Sequence, residues 1–529
     1  MLLNRVRRWP GVPLFFLLIG IYAYFYQAGG SNQNTRFDLV RSIVEKQTFQ
    51  IDQFHKNTID KAKREQHYYT DKAPGVSWLG VPVYEAIIAL VDNKSQPPRH
   101  LDASMYLVTV SAVAIPSALA GVMLFMLGGT LGLSTRASVA LSLAYGLGTL
   151  AFPYSTLFYG HQLAAALLLA AFVLLVRIRH QSATDTPTAT ALATIGLLLG
   201  YAVVTEYPAA LACAILGIYA AIFVRPYGRL VWLAVGMAIP GAALALYHNS
   251  AFGGPFTLPY EFSTQVHRHL GFFMGIGLPD ADTLYHILFS SYRGLFYSAP
   301  WLLLAIPGSI LLLRQNRFRA EAVTCIAIVV VFVWLNASLV DWEGGAAMGA
   351  RYLIPAIPFL AILTIGAWEA LLRDPAITTE FPENRISKLP INFWLKLIAL
   401  VPCFVAVGIS MVGMLAGTAV NPQVSVETKK PFEEAFYPLF FSGNLAINFH
   451  PVDGLASEWV GDAKFLSWIH GRMDLSTDTG SLISVVSHAT NAGKLIGLEG
   501  LASLLPLAFY VLAVGGWLWH AYNQPNSDK

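Results

Sequence analysis

The chain has 529 residues, 55% of them hydrophobic and only 12% charged, with a formal net charge of +3 and a mean hydropathy of +0.54. Soluble domains carry about 25% charged residues, so this composition excludes a water-soluble enzyme and a disordered scaffold. It also excludes a nucleic-acid binder, which needs clustered Lys and Arg.

Apolar runs of 17 residues or more recur along the chain. Each is long enough for one bilayer crossing, and together they predict an all-α polytopic membrane protein. The first run, 11–27, follows Arg5, Arg7 and Arg8. A signal peptide has similar flanks, but no small-residue cleavage site follows, so an uncleaved span is expected. Further runs lie near 75–91, 105–131, 137–153, 159–176, 188–204, 207–224, 230–247, 296–313, 320–337, 352–372, 393–417 and 498–520, thirteen in all.

Short loops rich in Lys and Arg stay cytoplasmic. If all thirteen runs cross, twelve such charges land outside: Arg136, Arg177, Arg179, Arg225, Arg229, Arg314, Arg317, Arg319, Arg373, Arg385, Lys388 and Lys396. If 75–91 does not cross, all twelve move inside. That run also holds Gly75, Gly80, Pro82 and Glu85, a poor composition for facing lipid. It is expected to lie in, or dip into, the outer surface as an interfacial helix. About twelve transmembrane helices follow, with both termini cytoplasmic.

This topology divides the chain into four parts. Residues 1–247 form an N-terminal transmembrane module with a long first outer loop, 28–104. Residues 248–417 form a central module with an outer loop, 248–295. An outer segment, 418–497, precedes the last span and cytoplasmic tail, 498–529. Cys213, Cys325 and Cys403 lie inside apolar runs, where no disulfide framework or zinc site can be built from them. Charge is nearly absent within the spans, apart from Glu206 at a junction and Glu369 near a cytoplasmic end. No internal repeat is visible, and both absences count against an ion-coupled transporter. The chain also lacks a Walker-type phosphate loop, a nucleophile elbow and a zincin helix motif.

The chemistry-bearing residues concentrate on the outer side. In 34–46, Phe37, Val40 and Val44 fall on one helical face and Arg41 and Glu45 on the other. This predicts a surface helix carrying Arg36 and Asp38 at the membrane boundary. Spacing leaves two roles open for Asp38, solvating that helix or acting on a substrate. Residues 67–75 follow with Tyr68, Tyr69, Lys72 and a Pro74-Gly75 turn, a rigid approach to a lipid headgroup. Tyr69 there is a substrate contact or an interfacial belt residue, and Lys72 binds phosphate as a point charge or snorkels.

Arg293 in 291–300 and Arg351 in 341–355 each reach the outer boundary among glycines and aromatics, with Glu343 beside the second. Pairing with an acid or a headgroup is as open as a functional role. His161 and Glu206 stand at the outer ends of other spans, as boundary residues or ligands. In 248–295, Glu261, His267, His269, Asp280 and Asp282 show no established metal-ligand spacing.

An acid just beyond the first span, a long outer loop, then Lys72-Ala73-Pro74-Gly75 before an interfacial helix resemble the polyprenyl-phosphate-dependent membrane glycosyltransferases. This C-type family includes the protein O-mannosyltransferases and the lipid A aminoarabinose transferases. The family's turn commonly reads Lys or His, Pro, Pro, Leu, and 115–121 is similar to its following span. The likeness covers about the first 230 residues in organisation. One departure is Leu39 after Asp38, where the family often has Asp-Glu.

The resemblance implies direct displacement at the outer, periplasmic face of an inner membrane. Asp38 would act as general base, while Lys72, Arg293 and Arg351 hold the donor phosphate. Arg36, Tyr69, His161, Glu206 and Glu343 would line the substrate. The implied donor is a polyprenyl-phosphate-linked sugar and the acceptor a glycan, lipid or protein, with membrane lipids as the other partners and no nucleic acid. The DxD pair of nucleotide-sugar enzymes is absent, which fits a lipid-linked donor. No cofactor is identified, and a divalent metal is left open. The alternative function is a lipid or glycolipid transporter without covalent chemistry, whose outer loops only gate access.

Overall fold

A computed structural model describes residues 9–91, 101–181, 186–372, 393–447 and 487–523. Arg5, Arg7, Arg8, Arg373, Arg385 and Lys388 lie outside the described residues, as do His450, Trp459, Trp468, His470 and Arg472 of the long segment before the last span.

The chain is mostly helical, as lipid requires, because a helix satisfies its own backbone groups. Seven helices among the described residues are long and apolar enough to cross a membrane. They are Ala103–Thr130, Gly160–His180, Tyr227–Phe252, Arg319–Ala337, Arg351–Leu372, Ile398–Val420 and Gly500–Tyr522. Shorter apolar helices occupy Gly11–Ala23, Gly75–Leu90, Ala189–Thr205, Ala209–Phe223 and Pro300–Leu313. The expected run 137–153 is interrupted: a helix over Thr135–Leu147 stops at Gly148, and a short turn over Ala151–Tyr154 follows. The Gly148 carbonyl freed by the break accepts a bond from the Trp301 indole N–H at 2.9 Å.

Helices in lipid gain little from apolar contact as such, so close packing holds them together. Ala189–Thr205 lies against Leu230–Phe252 through glycines placed reciprocally. A Cβ added at Gly196 would collide with the Leu233 carbonyl oxygen, and one added at Gly236 with that of Ala193. Leu230–Phe252 leaves Val231, Val235, Ile239 and Leu246 exposed on its other side. The helix over Arg351–Leu372 is buried almost throughout.

One end of the bundle carries a compact cap built mainly from residues 25–91. Strand β1 (Phe25–Ala28) leads through Gly29 and Gly30, both at positive φ, into a helix over Ser31–Lys46. A strap, 47–60, folds back to a hairpin of β2 (Lys61–Arg64) and β3 (His67–Thr70). The Pro82-containing helix Gly75–Val91 follows. Strand β4 (His488–Asn491) returns from far along the chain to pair antiparallel with β1.

The helix over Ser31–Lys46 corrects the expectation of a surface helix, for residues 32–42 are buried on every side. Phe37 and Val40 enter an apolar cluster with Val76, Tyr84, Val108 and Phe158. Leu39 enters a second with Tyr69, Tyr247 and Phe252. Its polar face is covered as well, because the strap returns over it. Periodicity found the helix and its apolar face, but a covering segment has no local signature.

Candidate active site

The covered polar face centres on Asp38. Its carboxyl is fully buried; Oδ1 accepts a hydrogen bond from Asn57 Nδ2 of the strap at 3.2 Å, and Oδ2 has no partner. Asn57 is fixed in turn by its carbonyl, which accepts from Asn34 Nδ2 at 2.8 Å. One turn along, Arg41 lies over the Phe54 ring at 3.8 Å and pairs with Glu45 at 2.8 Å. Tyr84 donates to the same Glu45 oxygen at 2.7 Å.

Arg41 Nη1, Ser42 Oγ and Asn57 Oδ1 are also buried without partners. Buried polar atoms are rarely left unpaired, so several together between the helix face and the strap form a layer able to accept a polar group. Burial pushes the Asp38 pKa up to about 8, against the opposing pull of Arg41 and the Asn57 hydrogen bond.

A second polar group lies on the other side of the same strap. Lys72 pairs with Asp71 at 3.0 Å and with Asp60 at 3.3 Å. Burial pulls the Lys72 ammonium down, but the two carboxylates outweigh it and hold it above an ordinary lysine. Burial likewise raises Asp60, yet Lys72, Arg351 and the Gln265 amide keep it below the usual carboxylate range. Lys72 is therefore already neutralised, and an arriving phosphate would compete with two acids.

Arg36 is a brace, donating to Glu206 at 2.8 Å, Asn32 at 3.0 Å and the Ala73 carbonyl at 3.2 Å. It ties the Asp38 helix to the Lys72 turn and to the 206 junction. His161 Nδ1 lies 3.5 Å from the same Glu206 oxygen, and its ring sits against Tyr159 and Tyr352. Arg351 lies 5.3 Å from the Tyr159 and Tyr352 rings. It is nearly buried, its Nε is unpaired, and no carboxylate pairs with it among the described residues. Gly344, at φ 73°, gives it room: a Cβ there would come within 2.7 Å of Arg351 Nε.

The remaining expected residues are placed differently. Arg293 is buried and donates to the carbonyls of Gly345, at 2.8 Å, and Ala347. It thus fixes the glycine loop that leads to Arg351. Glu343 accepts from Tyr292 at 3.0 Å and faces Lys429 at 3.4 Å, half-exposed at the rim. Tyr69 floors a cavity of about 470 Å3 that is also lined by Phe49, Gln47 and Gln50. Asp38, Arg36, Lys72, His161, Glu206 and Arg351 thus gather around the strap, whereas Arg293 and Glu343 support its surroundings.

Sequence reasoning missed Asn57, Asp60 and Arg268. Arg268 lies over the Tyr260 ring at 4.3 Å with its Nε unpaired. The dense basic stretch of His267, Arg268 and His269 was a signal for it. Among the described residues no group of three His, Cys, Asp or Glu side chains is close enough to hold a metal ion.

No family model and no curated protein matches the chain. Solved structures give distant likenesses. An oligosaccharyltransferase from Archaeoglobus fulgidus in its apo form is 12% identical, covering 77% of this chain at a TM-score of 0.45. The chain spans 56% of that protein's length. The archaeal enzyme AglB from the same organism, in complex with an inhibitory peptide and a dolichol-phosphate, is 11% identical at 0.46 over 77% and 56%. ArnT from Cupriavidus metallidurans bound to undecaprenyl phosphate is 13% identical at 0.42, covering 77% of this chain and 74% of its own.

Proposed function

We propose that the chain is a membrane glycosyltransferase that moves a sugar from a polyprenyl-phosphate-linked donor to an acceptor hydroxyl at the outer face of the membrane. One observation carries the reading: a buried carboxyl with one unpaired oxygen shares a strap with a cluster of buried cations. Asn57 holds Asp38 from that strap, and Asp60, three residues on, holds Lys72.

In the proposed step the acceptor oxygen attacks the anomeric carbon and loses its proton to Asp38 Oδ2. The bond from that carbon to the phosphate oxygen breaks, and polyprenyl phosphate leaves with the electron pair. Its charge is met by Arg351, which has no ion pair with a carboxylate among the described residues, with Lys72 assisting from its acidic cradle. Arg293 acts through the glycine loop, as a positioning residue. Arg36 and Glu206 keep the cationic turn against the Asp38 helix.

The test is release of free polyprenyl phosphate by purified protein offered a panel of lipid-phosphate sugars, with cell extract as a source of acceptor. Asp38→Asn is expected to lose at least 100-fold in kcat, the lower bound for a lost general base, while remaining folded. Arg351→Gln is expected to raise KM for the donor about tenfold, as loss of a charged phosphate contact does. Full activity in Asp38→Asn would remove it from the base position.

A further inference from the structure

At the end of the bundle opposite Asp38 is a second cavity, of about 310 Å3, lined by Trp9, Phe125, Met126, Thr135, Ser138 and Arg177. Its position follows from the helices that bound it. Trp9 precedes the Gly11–Ala23 helix, which runs up to β1, and Arg177 lies at the far end of Gly160–His180 from His161.

Three features converge there. Arg177 is exposed; its guanidinium lies 3.7 Å from the Met126 sulfur, and no carboxylate pairs with it among the described residues. Ser138, only 1% exposed, lines the cavity with a hydroxyl that has no hydrogen-bond partner. The cavity also adjoins the N-terminus of the helix over Thr135–Leu147. There the Ser134 side chain takes the Ala137 N–H, leaving the Thr135 and Arg136 amides without intrahelical partners.

A cation, an unpaired buried hydroxyl and helix N-terminal amides all seek a negatively charged oxygen. The Phe125 and Trp9 rings supply apolar walls for the carbons beside it, and tryptophan is favoured at a membrane–water boundary. One guanidinium matches a single negative charge, which selects a phosphodiester over a dianionic monoester. We propose that this cavity seats the headgroup of an anionic phospholipid, at the membrane surface opposite the catalytic cap.

The full chain, purified in detergent, is titrated with phosphatidylglycerol, and bound lipid is counted by mass spectrometry of the intact complex. Glycerophosphoglycerol, the same diester without acyl chains, is the competitor. The wild type is expected to retain one lipid that this competitor does not displace. Arg177→Gln should weaken retention at least tenfold and Ser138→Ala severalfold, both at unchanged melting temperature. Arg136→Gln is the control, because that guanidinium, at the same end, lies over the Tyr522 ring at 4.9 Å and should leave retention intact. Equal loss in Arg136→Gln would mean a diffuse basic surface and overturn the site. Full displacement by the competitor would overturn the lipid in favour of a free phosphodiester, and unchanged retention in Arg177→Gln would overturn both.

Discussion

Asp38 carries its carboxyl at full burial, with one oxygen unpaired. Its folded pKa of about 8 stands well above the ordinary value of about 4 for an unfolded aspartate. Between those values the unfolded chain has released a proton that the folded chain keeps. The residue's contribution to stability is therefore fully present below about pH 4 and is lost as pH rises through about 8. Asp38→Asn keeps an oxygen for Asn57 and cannot titrate. Its melting temperature is expected to exceed that of the wild type at pH 8 and to match it at pH 4, as scanning calorimetry at the two pH values would show. The same group governs the proposed chemistry in the opposite sense. A base must be ionised to accept a proton, so kcat/KM of the wild type should climb with pH and level off above about 8. A flat profile from pH 6 to 9 would separate the rate from Asp38.

At the scale of elements, the paired helices Ala189–Thr205 and Leu230–Phe252 depend on Gly196 and Gly236. Gly236→Val is expected to cost about 3 kcal/mol, the upper end of overpacking, seen as a lower melting temperature in detergent. Gly241→Val, on the same helix with nothing within 4 Å, should leave it unchanged, and equal losses would point to helix propensity instead of packing. The helices themselves were legible in sequence because apolar length and the 3.6-residue period are local properties. The Asp38 helix was legible for the same reason. Its burial was not, nor was the role of the strap, because the Asn57–Asp38 and Asp60–Lys72 contacts join residues that no period relates. Arg36 was singled out on the expected surface helix and Glu206 at a span end, yet their pairing across 170 residues is visible only in three dimensions.

At the scale of the whole molecule, the end away from the cap is tied by Glu321, which sequence reading passed over because it lies at the start of an apolar run. It accepts from Arg179 at 2.5 Å and Tyr219 at 2.8 Å, with His180 Nε2 at 2.9 Å, joining three helices. Glu321→Ala would leave those groups facing one another without an acid. A loss of about 2 kcal/mol is expected, below that of a fully buried pair because Arg179 reaches solvent, and a thermal melt measures it. The cap end is closed over a greater sequence distance. Tyr24, beside β1, donates to the Ser503 carbonyl at 2.6 Å across 479 residues, and β1 finds its partner strand only at His488–Asn491. During synthesis, the described apolar helices from Gly11–Ala23 to Ile398–Val420 emerge from the ribosome before β4 does. The strand that leads into the Asp38 helix therefore keeps an open edge until His488–Asn491 is made, so completion of the cap waits on a segment far along the chain. A chain halted before β4 should insert into the bilayer, leave that edge free for other chains, and be a preferred target of quality-control proteases.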